Sequence, residues 1–241
     1  MFGAGSIRYA ATLQGGSLEV LARWRFERSL QKLGDASDPL LASYARADWP
    51  DPAMHVRDAP LLALDFELDG LTREAHLLQA GWVPFAGRSI AMANAEVHDI
   101  RSHSDLDREA VTVHGIGVDR ASEGVRPREV ISSLVSALSG RIIVAHAAGI
   151  ERSALQRITK SLFGLALPVR SICTLELERK LAPNLVGQGV YRLGACRVRY
   201  GLPDYAAHDA LTDALAAAEL FHAQLSRMAD DTSLGSLERY F

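Results

Sequence analysis

Apolar positions in the first part of the chain recur with the period of a helix. Between residues 17 and 33 they fall at Leu18, Leu21, Ala22, Phe26, Leu30 and Leu33, which places them on one helical stripe. Ser17 stands where an N-cap is expected. A second short helix is expected over 38–46. The segment 48–60, DWPDPAMHVRDAP, is polar and marked by prolines, so it reads as a connector.

The pattern changes after Pro60. LLALDFE at 61–67 is a short apolar run and predicts a buried strand. Residues 75–85 and 88–97, separated by Ala86-Gly87, read as two strands of a hairpin. Segment 99–126 is polar and irregular. Helical periodicity returns over 127–139, with Pro127 near the first turn and Gly140 as the stop. RIIVAH at 141–146 is β-branched and apolar, the composition of a buried parallel strand. Helices are expected at about 150–163, 174–182, 188–201 and 209–228. Strands first, then strand–helix alternation, predict an α/β fold with a mixed sheet flanked by helices. The expected organisation is a helical extension and linker over 1–58, a catalytic domain over 59–228, and a loose tail over 229–241.

Composition narrows the class. The chain has 241 residues, 48% of them hydrophobic and 23% charged, ordinary values for a packed domain. Two cysteines exclude a disulfide scaffold and a four-cysteine zinc site. They read as small buried apolar residues. No apolar run reaches the ~18–20 residues of a membrane span, and the N-terminus lacks a secretory pattern. A soluble, cytoplasmic protein is expected. A net charge of −3 gives no hint of a nucleic-acid partner by itself. Trp24, Trp49 and Trp82 read as packing anchors. Arg192, Arg197 and Arg199 fall near one another on a short helix, where they form either a solvated basic face or a set of phosphate contacts.

Three places carry candidate chemistry. Alternation along the 61–67 strand puts Asp65 and Glu67 on one face. Two carboxylates on an otherwise apolar strand are costly to bury unless something pairs them, and a divalent cation does so. A second D-x-E, Asp107 to Glu109, lies in a solvated stretch and reads as surface charge. Asp213 shares a helical stripe with Ala217 and Leu220, and His208 stands at the start of that helix. The plainer alternative is a cap at Asp209 with Asp213 exposed. Glu151 follows the 141–146 strand, at the end where open α/β sheets place ligands. Taken alone, it also suits a first helical turn.

Together these supply four acids and a histidine. Such a set holds two metal ions about 3.5–4 Å apart with one general base for water, which is the chemistry of phosphodiester hydrolysis. The four acids outweigh the net negative charge of the whole chain, and two divalent cations supply a positive field for phosphate that bulk charge does not reveal.

The same segments resemble the DEDDh branch of 3′–5′ exonucleases, the group that includes the proofreading subunit of bacterial DNA polymerase III, ribonuclease T and oligoribonuclease. ALDFELDGL stands at the family's D-x-E-T-T-G-L motif, VTVHGI at its H-G-I segment, and IVAHAAGIERSAL at its H-N-x-x-F-D motif. CTLELERKL resembles its D-T-L-x-L helix, and AAHDALTDALAAAELF its H-x-A-x-x-D-A-x-A-T-A-E-L motif. The likeness covers about residues 60–225. It implies a ribonuclease-H-like fold with a five-stranded sheet. It implies that Asp65, Glu67 and Asp213 hold one Mg²⁺ or Mn²⁺, that Asp65 bridges to a second, and that Glu151 reaches the second. His208 takes the general-base position. Leu68, Asp69, His114 and Ile150 take positions beside the terminal nucleotide. The implied substrate is the 3′ end of single-stranded DNA or RNA.

The chain departs from the pattern at several points. Glu151 stands for an aspartate, Leu68-Asp69 for two threonines, Ile150 for an aromatic, Ala147 for an asparagine and Cys173 for an aspartate. These departures carry a second reading: a weakened exonuclease-like module that binds nucleic acid, a polymerase or another partner. The amphipathic 17–33 helix adds the expectation of a homodimer or protein contact through the N-terminal helices.

Overall fold

The structure is a computed structural model that describes residues 13–70, 75–101 and 123–241. His114, expected beside the substrate, lies outside the described residues. Helices α1 (Leu13–Gly34) and α2 (Pro39–Ala45) come first. Then follow strands β1 (Leu61–Leu68), β2 (Leu77–Ala86), β3 (Ser89–Ile90) and β4 (Glu96–Asp99). The second half alternates: α3 (Pro127–Leu138), β5 (Ile142–Ala145), α4 (Gly149–Phe163), β6 (Arg170–Cys173), α5 (Thr174–Leu181), α6 (Leu193–Arg199) and α7 (Ala210–Leu225). A short α8 (Leu234–Leu237) and strand β7 (Arg239–Tyr240) end the chain.

The sheet order is β3-β2-β1-β5-β6-β7, and β4 also pairs with β2. β1, β5 and β6 run parallel, whereas the β1–β2 and β6–β7 pairs are antiparallel. The sheet is therefore mixed, as expected, but it has seven strands among the described residues instead of five. The two extra strands are the two-residue pieces β3 and β7. The expected 88–97 strand is broken by a single 3₁₀ turn at Met92–Asn94, which splits it into β3 and β4. Gly87, at φ 60°, makes the tight turn between β2 and β3.

Each face of the sheet carries its own core. Leu62, Leu64 and Phe66 of β1 pack with Trp82 and with Ile131, Leu134 and Leu138 of α3. Leu61 and Ala63 turn the other way, onto Ala214, Ala218 and Phe221 of α7. Period-2 alternation then carries Asp65 and Glu67 onto that same α7 face. The spacing of Ala214, Ala218, Phe221 and Leu225 is one helical stripe, and its small residues let α7 lie close to the sheet.

The N-terminal helices are part of this core. Asp38 caps α2 through Leu40 N–H at 3.0 Å. Leu33, Leu41 and Tyr44 join the cluster under α3, and the Tyr44 hydroxyl donates to Pro168 O at 2.7 Å. α1 begins at Leu13, ahead of the cap expected at Ser17. Trp49 and Trp82 are packed as expected, but Trp24 is 50% exposed with Arg28 over its ring. It lies off the Phe26–Leu30–Leu33 stripe, so packing places it toward solvent.

The expected loose tail is corrected by the structure. Residues 234–241 add α8 and β7, and Glu238 is buried against Arg170. The Arg170 Nε and Nη2 donate to the two Glu238 carboxylate oxygens, each at 2.7 Å. Its Nη1 donates to Pro50 O at 2.6 Å. One guanidinium thus joins the connector, strand β6 and the C-terminal segment. Sequence periodicity could not show this, because the pairing spans 68 residues. Removing one partner of such a buried bidentate pair strands the other charge. Glu238→Ala should therefore lower stability by about 3–5 kcal/mol in denaturant unfolding; a free tail would show no change.

Candidate active site

Helix α7 reaches the carboxylates of β1 through two features of β2. Gly81 pairs with Asp65 across the strands. A Cβ at position 81 would overlap the backbone of Ala210 and Leu211, so glycine is what permits the close approach. Gln79 pairs with Glu67. Its buried amide accepts a hydrogen bond from Ala210 N–H at 2.8 Å and donates to Asp99 Oδ1 at 2.9 Å. Gln79 thus fixes the first turn of α7 to the sheet.

Asp209 caps α7 by accepting from Thr212 N–H at 3.0 Å. This is the cap the plainer reading expected, yet Asp213 is still drawn into the site. Its Oδ2 accepts from the backbone N–H of His208 at 2.8 Å. His208 holds a left-handed backbone, φ 70°, which turns it back over the helix start. Ligand-capable atoms of Glu67, His208 and Asp213 lie within 4.8 Å of one another.

The remaining acids adjoin this group. Burial raises the Asp65 carboxyl well above the ordinary range, and Glu151, Asp213 and Glu67 push it further. Burial, with Asp213 and Asp209 nearby, lifts Glu67 to about 7. Burial also lifts Glu151 to about 8, with Glu67 adding to the shift and the Glu151 backbone N–H opposing it. Glu67 and Glu151 are only 5% and 3% exposed. Glu151 Oε2 is buried with no hydrogen-bond partner among the described residues. Crowded, desolvated carboxylates with an orphaned oxygen fit a divalent cation, which satisfies the lone pairs and cancels the repulsion.

A cleft of about 1300 Å³ opens over the cluster and is lined by Asp65, Asp213, His208, His146, Tyr205 and Arg192, among others. His146 is a satisfied structural histidine. Its Nε2 bonds Tyr191 O at 2.8 Å and its Nδ1 bonds Thr174 Oγ1 at 2.9 Å. Ala147, where the pattern has an asparagine, is held at φ 67°.

The three motifs therefore meet: Glu67, His208 and Asp213 form one group, and Asp65 and Glu151 adjoin it. The flanking positions are placed differently. Leu68 packs against the core under α3. Asp69 accepts from His76 N–H at 2.6 Å and from the His76 ring at 2.8 Å, so it is occupied by the β1–β2 turn. Ile150 is exposed at the first turn of α4. The arginine run divides. Arg197 is buried, Arg199 pairs with buried Glu178 at 3.0 Å, and Arg192 is exposed at the cleft. Gly81 and Gln79 had no assigned role in the sequence reading. The signal available was a glycine inside an apolar strand.

Residues 62–221 match the family model described as an exonuclease of the RNase T type. The chain belongs to this exonuclease family. The family is DEDD-type with a ribonuclease-H-like α/β fold. A relative, the DNA polymerase III PolC-type of Thermotoga maritima, is 27% identical over 186 residues, covering 76% of this chain. The chain spans only 13% of that much longer protein. Cell-death related nuclease 4 superposes with a TM-score of 0.61 at 17% identity, over 72% of this chain and 66% of that one. The zinc-bound E. coli ExoI–ssDNA complex gives 0.60 at 15%, over 71% and 41%. Exonuclease X bound to 5′-overhanging duplex DNA gives 0.54 at 22%, over 72% and 97%. These structural likenesses concern the fold.

Two predictions follow from the geometry. Gly81→Ala should push α7 off the sheet and separate Asp213 from Asp65; we expect a loss of Mn²⁺ binding together with a stability cost of about 1–3 kcal/mol or more. In metal-free protein at neutral pH, Glu151→Gln should raise the melting temperature, because it removes a carboxyl that burial forces to take up a proton on folding. The same change should shrink the stabilisation that Mn²⁺ gives the wild type, as read by thermal denaturation with and without the ion.

Proposed function

We propose that the protein is a metal-dependent 3′–5′ exonuclease of the DEDDh kind, which removes nucleotides from the 3′ ends of single-stranded DNA or RNA. The observation that carries this reading is the convergence of Asp65, Glu67, Glu151, Asp213 and His208 beneath one cleft. Residues 59–228 act as the catalytic domain and 1–58 as an N-terminal extension.

Two Mg²⁺ or Mn²⁺ ions would supply charge neutralisation at the phosphate and a more acidic water. Glu67, Asp213 and Asp65 are the carboxylates that would hold one ion, and Asp65 and Glu151, whose Oε2 has no partner among the described residues, would hold the second. The extra methylene of Glu151, relative to aspartate, lets it reach from the first turn of α4. His208 takes the proton from the attacking water as general base. Its place on an exposed loop beside Asp213 gives it access to solvent. Arg192, exposed at the cleft, suits a substrate phosphate. Leu68, Asp69 and Ile150 flank the terminal nucleotide, with Asp69 held away from phosphate by His76.

Other parts of the reading concern the whole protein. Nucleic acid as partner is supported by the DNA complexes of similar folds. No helix among the described residues is long and apolar enough to cross a membrane, and a cytoplasmic location belongs to the proposal. Val20, Leu21 and Trp24, exposed on α1, are what supports a homodimer or protein contact there.

The test is incubation of the protein with 5′-labelled single-stranded DNA and RNA in Mn²⁺, Mg²⁺ or EDTA. Stepwise shortening from the 3′ end is expected, lost with EDTA and with Asp65→Ala. His208→Ala should reduce the rate about 10²–10⁴-fold. Glu151→Ala should abolish activity, while Glu151→Asp keeps a measurable part. Binding of either polymer without degradation would instead identify the non-catalytic module.

A further inference from the structure

The acids of the site share their space with an imidazole. Ligand-capable atoms of Glu67, Asp213 and His208 all lie within 4.8 Å of one another. His208 therefore stands within ligating range of two carboxylates, not only within reach of a water. Glu67 is buried, Asp213 half-buried and His208 exposed, and both Asp213 and His208 line the cleft. An ion entering from solvent can reach all three.

Their backbones are tied in this arrangement. His208 N–H donates to Asp213 Oδ2 at 2.8 Å, which holds the loop before α7 onto the first helical turn. Gln79 lies opposite Glu67 on the neighbouring strand and accepts from Ala210 N–H at 2.8 Å, two residues beyond His208. A separate sign of a cation adjoins the group. Glu151 Oε2 is buried with no hydrogen-bond partner among the described residues, and Glu67 is close enough to push the Glu151 carboxyl upward.

Metals differ in what they take from such a set. Mg²⁺ prefers oxygen ligands in an octahedron and keeps several waters. Zn²⁺ accepts imidazole nitrogen with carboxylate oxygen in a tetrahedron, and bonds of about 2.0–2.2 Å put its ligand atoms about 3.4 Å apart. Ligands already within 4.8 Å close that gap by small side-chain rotations. We propose that Glu67, Asp213 and His208 form a three-ligand Zn²⁺ site, with the fourth position open to the cleft, and that His208 bound in this way silences the enzyme. The binding stands on geometry alone, whereas the silencing rests on the reading of His208 as general base. A ligated imidazole has one nitrogen on the ion and carries its proton on the other, so it cannot take a proton from water. Ions that prefer carboxylates leave His208 available, and one that prefers imidazole removes it.

The test measures Zn²⁺ and Mn²⁺ binding to the metal-free full chain by titration calorimetry, for the wild type, His208→Asn and Glu67→Gln. Asparagine suits the left-handed backbone at 208, and an unchanged metal-free melting temperature checks that the fold is kept. The wild type should bind Zn²⁺ more tightly than Mn²⁺. His208→Asn should bind Zn²⁺ more weakly by at least the factor of about 10–100 that supporting partners of a metal ligand carry, with its Mn²⁺ affinity kept. Co²⁺, a coloured substitute for Zn²⁺, should give the strong visible absorption of a tetrahedral site in the wild type and lose it in His208→Asn. Stoichiometric Zn²⁺ should stop oligonucleotide cleavage by the Mn²⁺-loaded wild type. Equal Zn²⁺ affinity in His208→Asn and wild type, beside weakened binding in Glu67→Gln, would overturn the zinc site alone. Full-rate cleavage by the Zn²⁺-bound wild type would overturn the silencing. No cleavage with any metal, beside His208-dependent Zn²⁺ binding, would overturn the exonuclease reading and leave the zinc site standing. A wild type that binds neither ion would overturn the metal reading and this proposal with it.

Discussion

Helix α7 can lie against β1 and β2 because residue 81 has no side chain. The rest of the site depends on that approach. Any Cβ there would meet the backbone of the first turn of α7, and Gln79 then pins the same turn through Ala210 N–H. Alanines at 214 and 218 continue the close contact down the sheet. The result is that a carboxylate on the first helical turn and two on a strand end share one small volume. Without the approach, Asp213 would be an ordinary solvated helix acid.

Bringing those acids together is electrostatically unfavourable for the protein alone. Each of Asp65, Glu67 and Glu151 favours its protonated form more than a free carboxyl does, because burial and like charge act in the same direction. The fold tolerates this through its surroundings. Two apolar cores on the two sheet faces and the buried Arg170–Glu238 pair hold the surrounding elements together. Among the described residues, the two non-glycine residues in the left-handed region are Ala147 and His208, and both line the cleft. That conformation costs roughly 1–2 kcal/mol per residue. Strain and charge crowding are thus concentrated where a cation would be held, as expected of a site built for binding and not for stability.

Many of the elements were legible in the sequence. The β1 and β5 runs, the periodic α3, and the alanine-rich α7 have patterns that local sterics and burial impose, so their bounds lie within a few residues of expectation. That the acids of three separate segments come together was legible for a related reason. A carboxylate pair on an apolar strand, or an acid on an apolar helical stripe, conflicts with its own context. Such conflicts mark function in the sequence itself. Pieces governed by distant partners were not legible. The 229–241 segment looks loose until Arg170 closes on Glu238. Arg197 and Arg199 look like a basic surface until they turn inward to Glu219 and Glu178. Trp24 looks like core until α1 packs on its other stripe.

The sequence by itself determined which faces of which elements are apolar, and hence which side of β1 carries Asp65 and Glu67. It also determined, through residue type and order, the family and the chemistry those acids suit. The tertiary structure alone decided how near the elements come, which donors reach each carboxylate, and which arginines are spent on structure. The physical reason is one of range. Periodicity is set by neighbours three or four residues away, whereas the Gly81 contact, the Gln79 bond and the Arg170–Glu238 pair join segments whose distance is fixed only when the two cores close.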